Sequence, residues 1–342
     1  MRTAMKKSRI WLSVGIAFVV LIGAVAGTGW YLAHRLDEQV RTVDVFAGLD
    51  DRPEPASDAA AGAMNILLLG TDGRTDGEAT TGSDATSTWT PGEQRADTMM
   101  LLHLSADRRS ASVVSIPRDS WVRIPGHGKA KVNAAFSLGG PRLSVQTVEK
   151  LTGVRIDHVA WVDWAGFEEI GDLLGGVEVY IPETVYDSAR KRTWTQGKHL
   201  LSGEEALLYV RQRYGLPGGD LDRVKRQQYV LRSILRGLRQ SVDPKNPKKA
   251  YDLLDIITRH LTVDSGFSGS DLRTLALDLA RMPSEDLTFF TAPVAGLGKE
   301  GKQSVVRLDK REGRHLWSAM REDDMETWLE QNQDALTGRT VN

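Results

Sequence analysis

The sequence contains no cysteine, which excludes disulfide bonds, thiolate zinc sites and cysteine nucleophiles. Its net charge is also small, -1 at pH 7 over 342 residues. Proteins that bind nucleic acid usually carry a strong basic bias, so we predict no nucleic-acid partner. Three common motifs are missing too: the G-x-x-x-x-G-K-[ST] phosphate loop, the G-x-S-x-G nucleophile turn and the H-E-x-x-H zinc pair. A ligand site must therefore come from a local cluster of other residues.

An uncharged apolar stretch, residues 10–32, follows four cations between residues 2 and 9. At about 1.5 Å per residue this stretch can cross a hydrocarbon core of about 30 Å, and the cations hold the preceding end in the cytoplasm. A cleaved secretory signal is the alternative, because Ala-Val-Ala at 24–26 fits a cleavage site, but signal cores are shorter, about 7 to 15 residues. We predict a cytoplasmic tail at 1–9, a single-pass transmembrane helix at 10–32 and an extracytoplasmic remainder anchored to the cell membrane.

The exported part divides into a linker and one folded domain. Residues 33–63 are charged and then rich in Ala, Pro and Asp, without sustained periodicity, which is typical of a membrane-proximal linker. A short strand or helix at 39–46 stays open within it. From Met64 onward, apolar runs recur at the spacing of strands and helices, so we predict a single extracytoplasmic domain over 64–342. Within it, residues 75–94 are polar and rich in Gly, Thr and Ser, which predicts an exposed insertion loop.

Strand and helix patterns alternate along this domain. Short apolar runs bounded by turn residues predict strands at 64–72, 98–105, 110–119, 158–164, 177–183, 287–293 and 303–309. Helical spacing of apolar residues predicts helices at 142–153, 165–176, 202–212, 222–240, 247–261, 269–282 and 311–323. This order predicts the α/β fold class, an α-β-α layered domain in which helices flank a central mixed β-sheet.

Charged residues gather where the first three strands begin or end. Asp72 follows the first strand, Arg95 and Asp97 precede the apolar run of the second, and Arg118 and Asp119 follow the third. In α/β sheets ligands commonly bind at such strand ends. Two carboxylates from neighbouring strands, without His or Cys nearby, suit a hard divalent cation such as Mg²⁺. The alternative, an Asp72 that caps a turn and an Asp97 paired with Arg95, stays open on the residues alone.

A second group of charges surrounds a Gly-Gly turn between residues 209 and 228. Arg211 and Arg213 precede the turn, Arg223 follows it, and Asp220 and Asp222 can orient them. Guanidinium groups gathered at one place repel each other unless an anion lies among them, and their planar shape matches phosphate oxygens. We therefore predict that these three arginines bind phosphate. The other cations of the following helix are assigned to its solvated face: Lys225, Arg226, Arg232, Arg236 and Arg239.

Seven short segments carry most of these residues. They are ILLLGTDGR, RADTMMLLHL, SIPRDSWVRIPG, KVNAAF, DLLGGVEVYIP, GKHLLSGEEALLYVRQRY and GDLDRVKRQQ, which together cover about residues 64–240. In order and spacing they resemble the LytR-CpsA-Psr family of bacterial cell-wall proteins. The resemblance implies an anchored extracytoplasmic phosphotransferase. It would move a glycopolymer, such as a teichoic acid, a capsule chain or arabinogalactan, from a polyprenyl-diphosphate carrier to peptidoglycan.

The resemblance also implies a role for each matching position. The family's metal-binding acids fall at Asp72 and Asp97. They would hold Mg²⁺, with Mn²⁺ as the alternative. Its diphosphate-binding arginines fall at Arg118, Arg211, Arg213 and Arg223. Further substrate-binding positions fall at Arg95, Lys131 and Gln227.

The group that takes the proton from the acceptor hydroxyl stays open on the residues alone. A carboxylate near the acceptor suits this role, and the candidates are Asp119, Asp220 and Asp222. As expectations, we assign Asp222 to catalysis and Asp220 to substrate binding.

Two other functions use the same residues. A polyprenyl-diphosphate phosphatase would let water attack in place of a sugar hydroxyl, and a non-catalytic regulator of envelope maintenance would only bind the polyprenyl phosphate. An assay that depends on the acceptor separates transfer from hydrolysis. The exported domain and the nearly neutral chain argue against intracellular DNA binding.

Overall fold

The computed structural model of the protein describes residues 40–54, 60–71, 95–241 and 261–338, together with five residues between 252 and 260. The predicted cytoplasmic tail, transmembrane helix and insertion loop lie outside these residues, and so does Asp72. Within the part of the chain that is described, no helix has the length and apolar character needed to cross a bilayer. The membrane anchor therefore stays a prediction.

The described elements alternate between strands and helices. The strands are β1 (Arg41–Val43), β2 (Met64–Thr71), β3 (Ala96–Leu104), β4 (Ala111–Ser115), β5 (Trp121–Ile124), β6 (Gly128–Lys131), β7 (His158–Asp163), β8 (Val177–Ile181), β9 (Val185–Asp187), β10 (Arg192–Trp194), β11 (Gly197–Leu201), β12 (Leu261–Asp264), β13 (Leu287–Thr291), β14 (Val294–Glu300) and β15 (Gln303–Leu308). The α-helices are α1 (Ala134–Thr152), α2 (Trp164–Leu173), α3 (Gly203–Val210), α4 (Asp220–Ser241), α5 (Gly269–Arg281), α6 (Lys310–Arg321) and α7 (Met325–Gln331).

Among the described residues, seven strands form a central mixed sheet in the order β1, β12, β7, β2, β3, β4 and β13. The pairs β1–β12, β7–β2 and β4–β13 are parallel. The pairs β12–β7, β2–β3 and β3–β4 are antiparallel. Strands β2, β4, β7 and β13 therefore end at one edge of the sheet, and β3 begins there.

Apolar side chains alternate between the two faces of this sheet, as the period of two in a strand requires. On β3, Met99 and Leu101 pack into the core that lies under α1, α6 and α7. Met100 and Leu102 pack into the core on the other face, under α4 and α5. Helices thus cover both faces, and the predicted α-β-α layered fold with a mixed sheet is confirmed.

Helix ends lie near the positions that the sequence signals predict. The Ser202 hydroxyl accepts a hydrogen bond from the Glu205 amide, and the Glu205 carboxylate accepts one from the Ser202 amide, which begins α3. Gly153 ends α1 with a positive φ of 68°, a conformation that glycine adopts without steric cost. The prediction at 247–261 falls mostly outside the described residues.

A smaller layer lies beside the sheet. The strand predicted at 177–183 forms β8, but β8 pairs with β11 in a two-stranded hairpin and does not join the central sheet. Its inward residues, Val177, Val179 and Ile181, pack with α2, α3 and α4 in an apolar cluster that we call the hairpin cluster. At the start of α3, a Cβ on Gly203 would lie 2.0 Å from the carbonyl oxygen of Glu168. Only glycine lets α2 and α3 approach this closely.

Part of the predicted linker packs on the domain: residues 40–54 and 60–63 are described with it, and the short strand left open at 39–46 is present as β1. Strand β1 is the outermost strand of the sheet and pairs with β12. Val45 is buried in the core, and the Arg52 guanidinium binds the buried Glu149 carboxylate at 2.8 Å. The sequence left a strand or a helix open at 39–46, because a three-residue strand is too short to show a period.

The ion pair between Arg52 and Glu149 tests how much this segment stabilises the fold. Glu149 is 2% exposed, and it also accepts a hydrogen bond from the Ile156 amide. Because Arg52→Ala leaves a buried carboxylate without its cation, we expect the free energy of unfolding of the full chain to fall by about 3 kcal/mol in urea denaturation.

The neighbouring pair of Asp51 and Lys150 provides a matched control. Both side chains are largely exposed, at 89% and 49%. Lys150→Ala should therefore lower the free energy of unfolding by less than about 1 kcal/mol. Equal losses for Arg52→Ala and Lys150→Ala would show that burial gives the Arg52–Glu149 pair no larger effect on stability than the exposed pair has.

Candidate functional site

Two of the charged residues selected from the sequence lie at the edge where β2, β4, β7 and β13 end. Thr71, the last residue of β2, pairs with Ala96, and Asp97 follows Ala96 on β3. Arg118 comes shortly after Ser115, the end of β4. The sheet therefore positions Asp97 and Arg118 next to each other, as expected for strand ends in an α/β fold.

The other arginines come from the connection between α3 and α4. Arg211 caps the C-terminus of α3, Arg213 lies in the following turn, and Arg223 lies in the first turn of α4. Gly215 turns the chain with a positive φ of 83°, and a Cβ there would lie 2.2 Å from the Tyr186 carbonyl oxygen. The chain thus reverses between the two helices and brings these arginines to the edge of the sheet.

Asp220 joins the arginines from both parts of the chain. Its Oδ1 lies 2.9 Å from Arg223 Nη2, 3.4 Å from Arg118 Nε and 3.8 Å from Arg213 Nε. Arg118 Nη1 in turn donates to Asp97 Oδ1 over 2.5 Å. The Asp220 side chain is 12% exposed, so solvent screens these charges only in part. One carboxylate thus holds three guanidinium groups that repel each other.

These side chains line a cavity of about 190 Å³, which we call the arginine cleft. Its lining residues are Asp97, Arg118, Trp164, Arg190, Arg211, Arg213, Arg223 and Gln227. The sequence analysis did not select Trp164 or Arg190. Trp164 directly follows β7 at the same edge, so the strand-end argument that selected Arg118 could have found it. Arg190 lies in the turn between β9 and β10, with its Nη1 3.0 Å from Asp187 Oδ2. No sequence signal predicts that this turn reaches the cleft.

Two buried guanidinium groups of the cleft have unpaired donors. The Nε atoms of Arg118 and Arg223 donate no hydrogen bond to any residue that the structure describes. Burial lowers the pKa of Arg223 to about 10, against the attraction of Asp220 and with added repulsion from Arg118. Burial also acts to lower the pKa of Arg118, but Asp97 and Asp220 together outweigh it, and that pKa is raised. An anion in the cleft would supply acceptors for both donors.

A larger cavity of about 480 Å³, which we call the outer cavity, adjoins the arginine cleft and shares Arg118 and Arg213 with it. Arg95 and Lys131, both predicted to bind substrate, line the outer cavity. Lys131 Nζ lies 2.9 Å from Asp119 Oδ1, on the same wall. The predicted residues are therefore divided between two cavities that share Arg118 and Arg213.

Asp222 lies outside both cavities, so the structure does not bring it together with the other predicted site residues. Its Oδ2 accepts a hydrogen bond from the Gly218 amide at 2.6 Å, and its Oδ1 lies 3.6 Å from Lys225 Nζ. These contacts fix the entry of the chain into α4, where a carboxylate in the first turn is favourable. This geometry gives no support to the expected catalytic role of Asp222.

Arg226 is buried, and its assignment to a solvated helix face is wrong. Its exposed fraction is 0%, its Nη1 donates to Gln212 Oε1 at 2.7 Å, and its guanidinium stacks on the Tyr209 ring. Arg226 lies three residues from Arg223 and one from Gln227, on the helix face that points inward. The position on the helix, and not the charge, decided its burial.

The donors in the arginine cleft suit a hard divalent cation. Asp97 offers carboxylate oxygens, and its side chain is 20% exposed. Among the described residues, no histidine lines the cleft. Mg²⁺ and Mn²⁺ prefer oxygen ligands. The described residues include no group of three His, Asp or Glu side chains that could hold a metal by themselves. Asp72, the other predicted ligand, lies outside them, so the metal stays a prediction.

Comparison with known sequences supplies the family. The sequence model of the LytR_cpsA_psr family matches residues 34–322 of this chain. The chain belongs to the LytR-CpsA-Psr family. The resemblance drawn from the seven segments is confirmed, and the match extends beyond residues 64–240 in both directions.

Relatives in this family carry cell-wall names. The cell wall biosynthesis protein LcpA of Corynebacterium glutamicum is 31% identical over 86% of this chain and 62% of its own length. This chain thus spans a little less than two thirds of that relative. The polyisoprenyl-teichoic acid–peptidoglycan teichoic acid transferase TagU of Enterococcus faecalis is 31% identical over 77% of this chain and 79% of its own. The structure of a LytR-Csp2A-Psr enzyme from Actinomyces oris covers 82% of this chain and 95% of its own, with a TM-score of 0.64 at 24% identity, and shares the fold.

The two buried arginines of α4 predict opposite effects on stability. Burial of the charged Arg223 near other cations destabilises the folded state. Because the pKa of Arg223 is lower in the folded than in the unfolded state, this destabilisation is fully present below about pH 10 and decreases only at higher pH. We therefore expect Arg223→Met to raise the free energy of unfolding at pH 7 by about 1 to 3 kcal/mol in urea denaturation.

Arg226→Met is the matched control on the same helix. Burial lowers the pKa of Arg226 as well, but Arg226→Met leaves the side-chain oxygen of the buried Gln212 without its donor and removes the stacking on Tyr209. We expect these losses to dominate and to lower the free energy of unfolding by about 2 kcal/mol. Effects of the same sign for Arg223→Met and Arg226→Met would contradict the electrostatic interpretation of the cleft.

Proposed function

We propose that the protein is a phosphotransferase that moves an anionic or secondary cell-wall glycopolymer from a polyprenyl-diphosphate carrier to peptidoglycan. The arginine cleft carries this proposal: five of the described arginines line it, and the buried Nε atoms of Arg118 and Arg223 make no hydrogen bond to a described residue, although Arg118 Nε lies 3.4 Å from Asp220 Oδ1. A diphosphate offers acceptor oxygens and negative charge in addition to those of Asp97 and Asp220. The name of TagU, a teichoic acid transferase, supports the polymer class.

The reaction forms a bond between an acceptor hydroxyl oxygen and phosphorus and breaks the bond to the polyprenyl phosphate, which leaves. The protein has to neutralise charge on the phosphoryl and leaving oxygens and align the acceptor with the scissile bond. Arg118 and Arg223 would bind the diphosphate through their unpaired Nε donors. Arg211, Arg213 and Gln227 line the same cleft and would complete the set of donors.

Asp97 would hold a divalent cation, Mg²⁺ or Mn²⁺, together with Asp72. When bound, the cation supplies further positive charge to the diphosphate oxygens. Two features support this part of the proposal: Asp97 lines the cleft as an oxygen ligand, and Asp72 follows Thr71, which pairs with Ala96 next to Asp97.

The outer cavity would hold the acceptor sugar, since it shares Arg118 and Arg213 with the arginine cleft and is larger. Asp119 on its wall is the best placed carboxylate to take the hydroxyl proton. Asp220 is surrounded by arginines, and Asp222 contacts Gly218 and Lys225 outside both cavities. Arg95 and Lys131 would bind anionic groups of the substrates.

Residues 10–32 would anchor the chain in the cell membrane, with the domain outside the cytoplasm. This location is where a polyprenyl-linked polymer and peptidoglycan meet. The uncharged stretch and the cations before it support the anchor.

Loss of an arginine from the cleft should remove transfer without unfolding the domain. With the purified full chain, a short-chain polyprenyl-diphosphate glycan and peptidoglycan fragments, we expect Arg118→Ala or Arg211→Ala to lower the transfer rate by about 10² to 10³-fold. Lys150→Ala, on an exposed pair, should keep the wild-type rate. Unchanged transfer by a folded Arg118→Ala, Arg211→Ala double variant would eliminate this site.

The same assay without peptidoglycan separates the three functions. Release of polyprenyl phosphate only when acceptor is present supports transfer. Release at an equal rate without acceptor identifies a phosphatase, and tight donor binding with no release in either case identifies a binding regulator.

Removal of divalent cations tests the metal. We expect a chelator to abolish transfer and added Mg²⁺ or Mn²⁺ to restore it, because the cation offsets charge on the diphosphate. Asp97→Asn should weaken metal binding by about tenfold or more in calorimetric titration of the full chain, while Asp51→Asn on the exposed surface should not change it. Full activity in the presence of chelator would refute a metal requirement.

A further inference from the structure

Trp164 lies where the arginine cleft meets an apolar part of the fold. It is the first residue of α2, directly after β7. Its side chain lines the cleft, and it also packs against the hairpin cluster. The Arg211 guanidinium lies over its ring, with 5.3 Å between Arg211 Cζ and the ring centroid. The indole therefore borders polar and apolar surroundings at once.

The indole nitrogen of Trp164 is a buried donor without an acceptor. Its Nε1 is inaccessible to solvent and makes no hydrogen bond with any residue that the structure describes. An indole N–H can only donate, so a partner has to be an acceptor such as a phosphate or sugar oxygen. Buried donors in native structures usually have such partners.

Trp194 shows that an unpaired indole alone does not indicate a ligand. Its Nε1 is also buried without a hydrogen bond to a described residue, and its ring packs edge-on against Tyr209 and under Arg192 in the hairpin cluster. Trp194, however, is not among the described residues that line the arginine cleft or the outer cavity. The two tryptophans thus share an unpaired donor and differ in that Trp164 lines the arginine cleft and Trp194 does not.

We propose that Trp164 is a substrate-binding residue that donates its indole N–H to a phosphate oxygen of the diphosphate in the arginine cleft. The inference rests on the proposed function, since it places the diphosphate there. The ring face under Arg211 keeps that guanidinium directed at the same phosphate through the cation–π contact. Because the ring also packs on the hairpin cluster, Trp164 holds the charged head of the carrier at the border of an apolar region.

The indole N–H signals provide a direct test. The full chain, purified in detergent and labelled with ¹⁵N at its nine tryptophans, is titrated with inorganic pyrophosphate and observed by NMR. Trp164→Phe, which keeps a ring under Arg211 and removes the donor, assigns the Trp164 signal; Trp164→Tyr provides a second assignment if that variant does not fold. We expect the Trp164 signal to shift saturably and the Trp194 signal to stay in place.

Affinity for pyrophosphate provides the second measurement. Loss of one hydrogen bond to a charged oxygen should weaken binding by about tenfold in Trp164→Phe. Trp194→Phe is the matched control and should bind like the wild type. Wild-type binding with an unmoved Trp164 signal, or equal affinity in folded Trp164→Phe, would overturn this inference and leave the diphosphate site intact. Absence of pyrophosphate binding by the wild-type chain would overturn both.

Discussion

Repulsion among guanidinium groups is the constraint that the rest of the structure has to satisfy. Five of the described arginines line one small cleft, and their close acidic partners are Asp97, Asp187 and Asp220. Without an anion this arrangement is unfavourable, so packing elsewhere has to hold it in place. The two cores on the faces of the sheet and the hairpin cluster provide that packing. Binding sites are commonly maintained at such a cost in stability.

A buried arginine outside the cleft helps to position those within it. Arg226 on α4 binds the Gln212 side chain and the Tyr209 carbonyl at the end of α3. Arg211 lies between these two residues in the chain, and Arg223 lies one turn before Arg226. The contact therefore fixes the ends of α3 and α4 relative to each other, and with them the two arginines. Strands β3 and β4 set the positions of Asp97 and Arg118.

Sequence patterns predicted the long elements because each presents a repeating apolar face to a core. They missed β12 and left β1 open between strand and helix, since strands of four and three residues show no period. Asp97 and Arg118 could be selected because side chains at a strand end leave from a rigid edge. Arg190 could not, because its approach depends on how the turn between β9 and β10 packs. Asp222 and the buried arginine of α4 show that charge alone does not tell whether a side chain on one helix faces a ligand, the interior or a neighbouring loop.

The pairing of β1 with β12 also limits how far the domain can stand from the bilayer. If the predicted span ends at residue 32, only residues 33–39 separate it from the first described residues of the fold. Seven residues reach at most about 25 Å when fully extended, whereas the 31 residues of the predicted linker would reach roughly 100 Å. With the predicted anchor, a tether this short would keep the domain close to the lipid surface, and an acceptor in the wall would have to approach the membrane.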